Sequence, residues 1–136
     1  MKTEQTQWTQ GSGWEPTAPG GLGAAAQLVL LFGSTSVLKE QQLLDEIKHA
    51  YPNAHLFGCS TCGEIYETQV FDNSLVATAI QFEATQIQGV CIKLSGGISS
   101  FEAGERLVKE LESSEDHRFS VSHVLLERTG EGVGSY

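Results

Sequence analysis

The stretch Gln27-Leu-Val-Leu-Leu-Phe32, closed by Gly33-Ser-Thr-Ser36, is where the fold declares itself. A short unbroken apolar run ending at glycine predicts a strand covered on both faces. The residues that follow change period. From Val37 to Tyr51, the side chains of Val37, Leu43, Leu44, Ile47, Ala50 and Tyr51 fall on one helical face, while Asp45, Lys48 and His49 fall outside it. Ser34 or Ser36 can cap the start of this helix, and Pro52 stops its end. A second apolar strand, Ala54 to Gly58, comes at once. Strand, amphipathic helix and strand make a βαβ unit, which predicts parallel strands joined by a right-handed crossover.

Further along, Asn73 to Phe82 and Thr85 to Leu94 are rich in β-branched and apolar residues, with Glu83 and Ala84 between them. This spacing predicts an antiparallel hairpin. Val90, Ile92 and Leu94 alternate with Cys91 and Lys93, as in a half-buried strand. Ser99-Ser-Phe-Glu102 reads as a capping box. The helix it opens would place Phe101, Gly104, Leu107, Val108 and Leu111 on one face and Glu102, Glu105, Glu110 and Glu112 on the others. Val121 to Leu126 is a last short strand. The expected fold class is α/β: a mixed sheet that begins with a βαβ unit, continues as an antiparallel hairpin, and adds a helix and a short strand.

Outside this region glycine dominates. Five of the fifteen glycines lie between Gly11 and Gly23, and three between Gly130 and Gly134. The expected organisation is a flexible Gly-rich segment over 1–26, a folding unit over 27–126 and a disordered tail over 127–136. A chain of 136 residues suits one domain with a core of its own. Seventeen acids against eight bases give a formal charge of −9, and no two bases are adjacent. That balance argues against nucleic acid or an anionic membrane as partner, because phosphate recognition needs clustered Lys and Arg. Residues 1–20 are polar and include Glu4 and Glu15, unlike a secretory signal. The apolar stretch from Ala24 to Phe32 is interrupted by Gln27 and is far too short to span a bilayer. Three cysteines, Cys59, Cys62 and Cys91, are an odd number, which fits a reducing cytoplasm better than a disulfide framework.

The chemistry concentrates at two strand ends. The first strand runs into Gly33-Ser-Thr-Ser36 and the second into Gly58-Cys-Ser-Thr-Cys-Gly63. Parallel strands would send both loops to the same sheet edge, outside the strand carboxyl ends, where ligands of α/β folds bind. Hydroxyls of Ser34, Thr35, Ser60 and Thr61 would stand beside backbone N–H groups there. The first loop would also sit at a helix N-terminus, which favours a carboxylate or phosphate. Glu64 could receive an ammonium group. The same pattern also describes two ordinary capped βα turns.

The segment Gly58-Cys-Ser-Thr-Cys-Gly-Glu-Ile65 closely resembles the signature of the FIST sensory domain, usually Gly-Cys-Ser-Thr-Ala-Gly-Glu-Ile, with seven of eight positions in agreement. An apolar strand and an amphipathic helix ending near a proline precede the signature in that family, as here, and a β-rich stretch follows it. The resemblance covers about Gln27 to Leu126. It implies a bacterial-type cytoplasmic signal-input domain that binds a small ligand, amino acids in particular. The implied output partner is a histidine kinase, a cyclic-dinucleotide enzyme or a chemoreceptor. Some members resemble haem-based nitric-oxide sensors. The motif positions carried onto this chain are Gly58, Cys59, Ser60, Thr61, Gly63, Glu64 and Ile65. The family domain normally runs on beyond Leu126, so the resemblance also implies a truncated or frameshifted product.

Cys62 departs from the signature and creates Cys59-x-x-Cys62, a spacing shared with redox and metal sites. A redox role needs a helix starting at the motif, and none is predicted. A zinc site needs about two further ligands, for which Cys91, His49 and His55 are the candidates. A nucleophile elbow at Ser60 would need glycine where Cys62 stands. His49 lies on the polar helix face. His55 and His123 fall in strands, and either could in principle hold haem iron, though no motif selects one. The expectation is therefore a non-catalytic small-ligand sensor, with a haem sensor or a thiol redox protein as alternatives.

Overall fold

The computed structural model describes residues 1–92, 98–112 and 121–122. Two compact units follow one another, residues 1–85 and 86–136.

The first unit is built on a five-stranded sheet. Its strands are β1 (Lys2–Thr9), β2 (Gly13–Glu15), β3 (Leu28–Gly33), β4 (His55–Ser60) and β7 (Ser74–Gln81), in the order β2-β1-β7-β3-β4. β3 and β4 are parallel, with Leu28 opposite His55 and Gly33 opposite Ser60. β7 lies antiparallel to β3 on one side and to β1 on the other. Between β4 and β7, β5 (Glu64–Tyr66) and β6 (Gln69–Phe71) form a separate antiparallel hairpin. Glu67 takes positive φ at the turn that closes β5 onto β6, and Asn73 at the connection from β6 to β7. The mixed α/β sheet with a parallel βαβ start is thus present.

The helix between β3 and β4 comes in two pieces. Val37–Lys39 is a 3-10 turn, and α1 spans Gln41–Ala50. Glu40, extended at ψ 92°, interrupts them. Ser36 is the N-cap of the first piece and makes no side-chain capping bond; Ser34, two residues earlier, accepts the Val37 N–H on its Oγ at 3.3 Å. The apolar face is as expected. Val37, Leu43, Ile47 and Tyr51 pack with Val29 and Leu31 of β3 and with Leu75, Ala77 and Ala79 of β7 in one core. The small side chains of Ala77 and Ala79 keep this side of β7 low, so the helix can approach the sheet. The other face of β3 is less covered than expected, with Leu28 buried, Leu30 half-buried and Phe32 37% exposed. α1 shields only one face of the sheet.

Residues 1–26, expected to be flexible, are instead woven into this unit. β1 pairs with β7 along its whole length, from Lys2 opposite Gln81 to Thr9 opposite Ser74. Thr6 is buried, and its hydroxyl donates to the carbonyls of Glu15 (3.0 Å) and Thr17 (2.7 Å). The Glu4 carboxylate accepts the N–H groups of Gly21 and Leu22, both at 2.8 Å. The physical reason is pairing: β1 is mostly polar, but its ladder and these bonds satisfy what the strand buries.

Because β1 occupies the free side of β7, the described part of the expected hairpin partner, 85–92, is not a strand of that sheet. Among the described residues of that segment, 85–92, only β8 (Gly89–Val90) is a strand, and it pairs in parallel with β9 (Val121–Ser122); residues 93 and 94 lie outside the described residues. The side chain of Gln27, which interrupted the apolar run, reaches across. Its Oε1 accepts the Phe82 N–H at 2.7 Å and its Nε2 donates to the Thr85 carbonyl at 3.2 Å.

In the second unit, α2 spans Ser100–Glu112. The capping box is formed: Glu102 N–H donates to Ser99 Oγ at 3.2 Å, and Ser99 N–H donates back to Glu102 Oε2 at 2.9 Å. These Ser99 donors hold the Glu102 carboxyl below the usual range. The buried stripe is rotated from the expected one. Ala103 and Leu107 are buried, whereas Phe101 (77%), Val108 (52%) and Gly104 are exposed. The expected strand residues 123–126, His123 and the tail over 127–136 lie outside the described residues.

Tyr51 joins the core to the N-terminal segment. Its ring is buried, and its hydroxyl accepts the Gly20 N–H at 3.0 Å. Burial pushes its pKa up to about 12, the Gly20 bond pulling the other way. The folded value lies above the unfolded value near 10, so this contribution to stability is complete below pH 10 and falls as pH rises from about 10 to about 12. Melts across that range are expected to show this loss, and Tyr51→Phe should remove its share of the slope. An unaltered slope in the variant would show that another group is responsible.

Candidate functional site

The site is built where β3, β4 and β7 meet the carboxyl edge of the parallel pair. Gly33 ends β3 and Ser60 ends β4, directly opposite each other. Two backbone bonds tie the adjoining loops. Thr61 N–H donates to the Gly33 carbonyl at 2.9 Å, and Ser34 N–H donates to the Ser74 carbonyl at 3.1 Å. The loops 34–36 and 61–63 therefore lie side by side, as parallel strands require.

Glycine allows the close approach. A Cβ at Gly58 would run into the Leu31 carbonyl of β3, and one at Gly33 would meet Leu75 Cδ1 at 2.9 Å and the Ser74 carbonyl at 3.0 Å. Gly58 is thus a strand-packing residue, two positions before the edge. Gly63 is half-buried in the second loop, where a Cβ would meet Val70 Cγ1 at 3.1 Å.

Glu64 is the centre of the arrangement. It is 2% exposed, and its carboxylate carries three bonds. Oε1 accepts the Thr61 hydroxyl at 2.6 Å, and Oε2 accepts the Ser74 hydroxyl at 2.8 Å and the Ser74 N–H at 3.2 Å. A buried charge is tolerated when hydrogen bonds replace its water, and charge-assisted bonds are the stronger kind. Both oxygens face the protein itself, which corrects the expectation that Glu64 receives a ligand's ammonium group. The carboxylate instead clamps the loop after β4 to the start of β7. Ser74, fully buried, was missed from sequence. Its only signal is a hydroxyl residue at the head of the apolar run Leu75–Ala77.

The hydroxyls left to face outward are those of Thr35 and Ser60. Both residues are exposed, and neither hydroxyl has a hydrogen bond among the described residues. Ser34 Oγ is shared between Ser36 Oγ, at 3.0 Å, and the Val37 N–H. The first loop does not lie at the N-terminus of α1, since a 3-10 turn and Glu40 intervene. The anion-favouring helix end thus sits further along the chain than expected.

Cys59, Cys62 and Cys91 are exposed free thiols. Cys59 lies in β4 and Cys62 in the loop that follows it, not at the start of a helix, so the geometry that activates thiols of that spacing is not formed. His49 is exposed, with Nδ1 2.7 Å from the Asp45 carbonyl, and His55 is exposed on the edge strand β4. An exposed edge histidine does not provide the enclosed apolar pocket that haem requires. Among the described residues, no group of three or more His, Cys, Asp or Glu is placed to hold a metal ion.

The family model for the FIST N domain matches residues 27–131. The chain belongs to the FIST family. Its signature, Gly58 to Ile65, thus covers the strand end, the second loop and the clamp just described. FIST domains are sensory domains of signalling proteins. No curated protein and no solved structure matches the chain. No helix among the described residues is long and apolar enough to cross a membrane.

Proposed function

We propose that this FIST domain is a cytoplasmic, non-catalytic signal-input module. It binds a small polar ligand, such as an amino acid, over the paired loops Gly33–Thr35 and Ser60–Thr61. The observation that carries this reading is the pair of outward hydroxyls, Thr35 on the first loop and Ser60 at the end of β4, held where the Gly33–Thr61 bond ties the end of β3 to the second loop and the Ser34–Ser74 bond ties the first loop to β7. Polar groups fixed before the ligand arrives need little ordering on binding. The ligand would favour one arrangement of the loops. The Glu64 clamp would carry that bias to β7 and the β5–β6 hairpin, and a signalling partner would read it. The partner classes implied by the resemblance are a histidine kinase, a cyclic-dinucleotide enzyme and a chemoreceptor.

A panel of amino acids and small carboxylates, read by thermal shift, tests the site. At least one member is expected to raise the melting temperature, by about 2.7 kcal/mol of stabilisation at a hundredfold excess over Kd. Thr35→Ala combined with Ser60→Ala should reduce the shift without lowering the unliganded melting temperature. No response from any panel member, or a full response in the double variant, would contradict the loop site.

A further inference from the structure

A second site, which borders the first loop at Ser36 but is lined by neither of the outward hydroxyls of Thr35 and Ser60, is formed by the N-terminal hairpin and α1. A cleft of about 480 Å³ is lined by Trp8 of β1, by Val37 and Leu43 at its apolar side, and by the carboxylates Glu40 and Glu46. It borders Ser36 and Asn73 but does not include Ser60 or Thr61.

Trp8 and Trp14 are directly opposite each other across β1 and β2. Trp14 uses its indole N–H to hold Glu46, donating to Oε2 at 2.9 Å, and Gln42 Nε2 donates to Oε1 at 3.3 Å. Both donors are neutral, so they orient the Glu46 carboxylate and leave its charge uncompensated. Glu40 has no hydrogen-bond or ion-pair partner for its side chain among the described residues. No Lys or Arg lines the cleft.

The field there can be signed. The N-terminus of α1, which begins at Gln41, contributes about half a positive charge. Two full negative charges outweigh it. An aromatic wall, an apolar side and a fixed carboxylate are the elements that recognise an organic ammonium group, through its charge and through cation–π contact with Trp8. Inorganic cations fit less well, because among the described residues no group of three or more His, Cys, Asp or Glu is placed to hold a metal ion, and the cleft offers only two carboxylates.

We infer that the Trp8–Glu40–Glu46 cleft is a binding site for an organic amine cation. It does not rest on the loop reading, since none of the loop hydroxyls of Thr35, Ser60 or Thr61 lines it. The chain has two tryptophans, one lining the cleft and the other holding its carboxylate, so intrinsic fluorescence reports on this site directly.

The test titrates n-butylammonium and putrescine against the protein, with n-butanol as the neutral counterpart. Saturable fluorescence change is expected with the two amines and not with n-butanol. Glu46→Gln, which can still accept the Trp14 bond, should weaken amine binding about tenfold. Glu40→Gln, at an exposed side chain, should weaken it several-fold with an unchanged melting temperature, so it decides the matter if Glu46→Gln folds poorly. Thr35→Ala with Ser60→Ala should leave the amine titration unchanged, which separates this site from the loops. An equal response to n-butanol, or undiminished amine binding in Glu40→Gln and in any folded Glu46→Gln protein, would overturn the proposal.

Discussion

Gly58→Ala is expected to destabilise the protein by about 3 kcal/mol or more, lowering the melting temperature by roughly 10 °C or more. The added methyl group has nowhere to go. It would be driven into the backbone carbonyl of Leu31, on the neighbouring strand of the parallel pair, and the Leu31 Cβ would be 2.9 Å away. Flexible side chains can swing aside, but a strand carbonyl cannot without breaking the β3–β4 ladder. That ladder carries the first three residues of the signature, Gly58 to Ser60, so the loops would separate as the strands did. Gly11→Ala is the control, because a Cβ there meets nothing within 4 Å. The pair of melts should differ sharply. Similar melting of the two variants would mean that β3 and β4 do not approach so closely.

Glu64→Ala should cost about 2–4 kcal/mol, because it strands the Ser74 N–H, the Ser74 hydroxyl and the Thr61 hydroxyl in a buried setting. Glu64→Gln should cost less, since its carbonyl oxygen still accepts one or two of these bonds. Its NH2 group would face a donor in place of the remaining acceptor. Hydrogen exchange distinguishes this from general loosening. The amides of Ser74, Thr61 and Ser34 should lose protection in Glu64→Gln, while those in the middle of β3 and α1 keep theirs. Uniform loss across the unit would argue that Glu64 only contributes to overall stability and does not clamp the two loops.

Much of the sheet was legible from periodicity. β3, the apolar face of α1, β4 and β7 each carry their pattern locally, and the capping box at Ser99 and Glu102 is a four-residue signal. β1 was not legible. Lys2 to Thr9 is polar on both sides apart from Trp8, and its partner β7 lies more than sixty residues away. Nothing local marks such a strand, and the hydroxyl of Thr6 is satisfied only once Glu15 and Thr17 are in place. The same event explains the misplaced hairpin, because β7 could take only one further neighbour beside β3. The adjacency of the two loops followed from the βαβ unit alone. The inward turn of Glu64 did not, since it depends on Ser74, brought back ten residues later by the β5–β6 hairpin.

Backbone amide shifts of the labelled protein, recorded during titration with the panel member that stabilises it most, test the sensory site most directly. The largest changes are expected at Ser34, Thr35, Ser60 and Thr61, with smaller ones passing through Glu64 to Ser74 and Leu75. Changes that leave both loops untouched would contradict a ligand site at the signature.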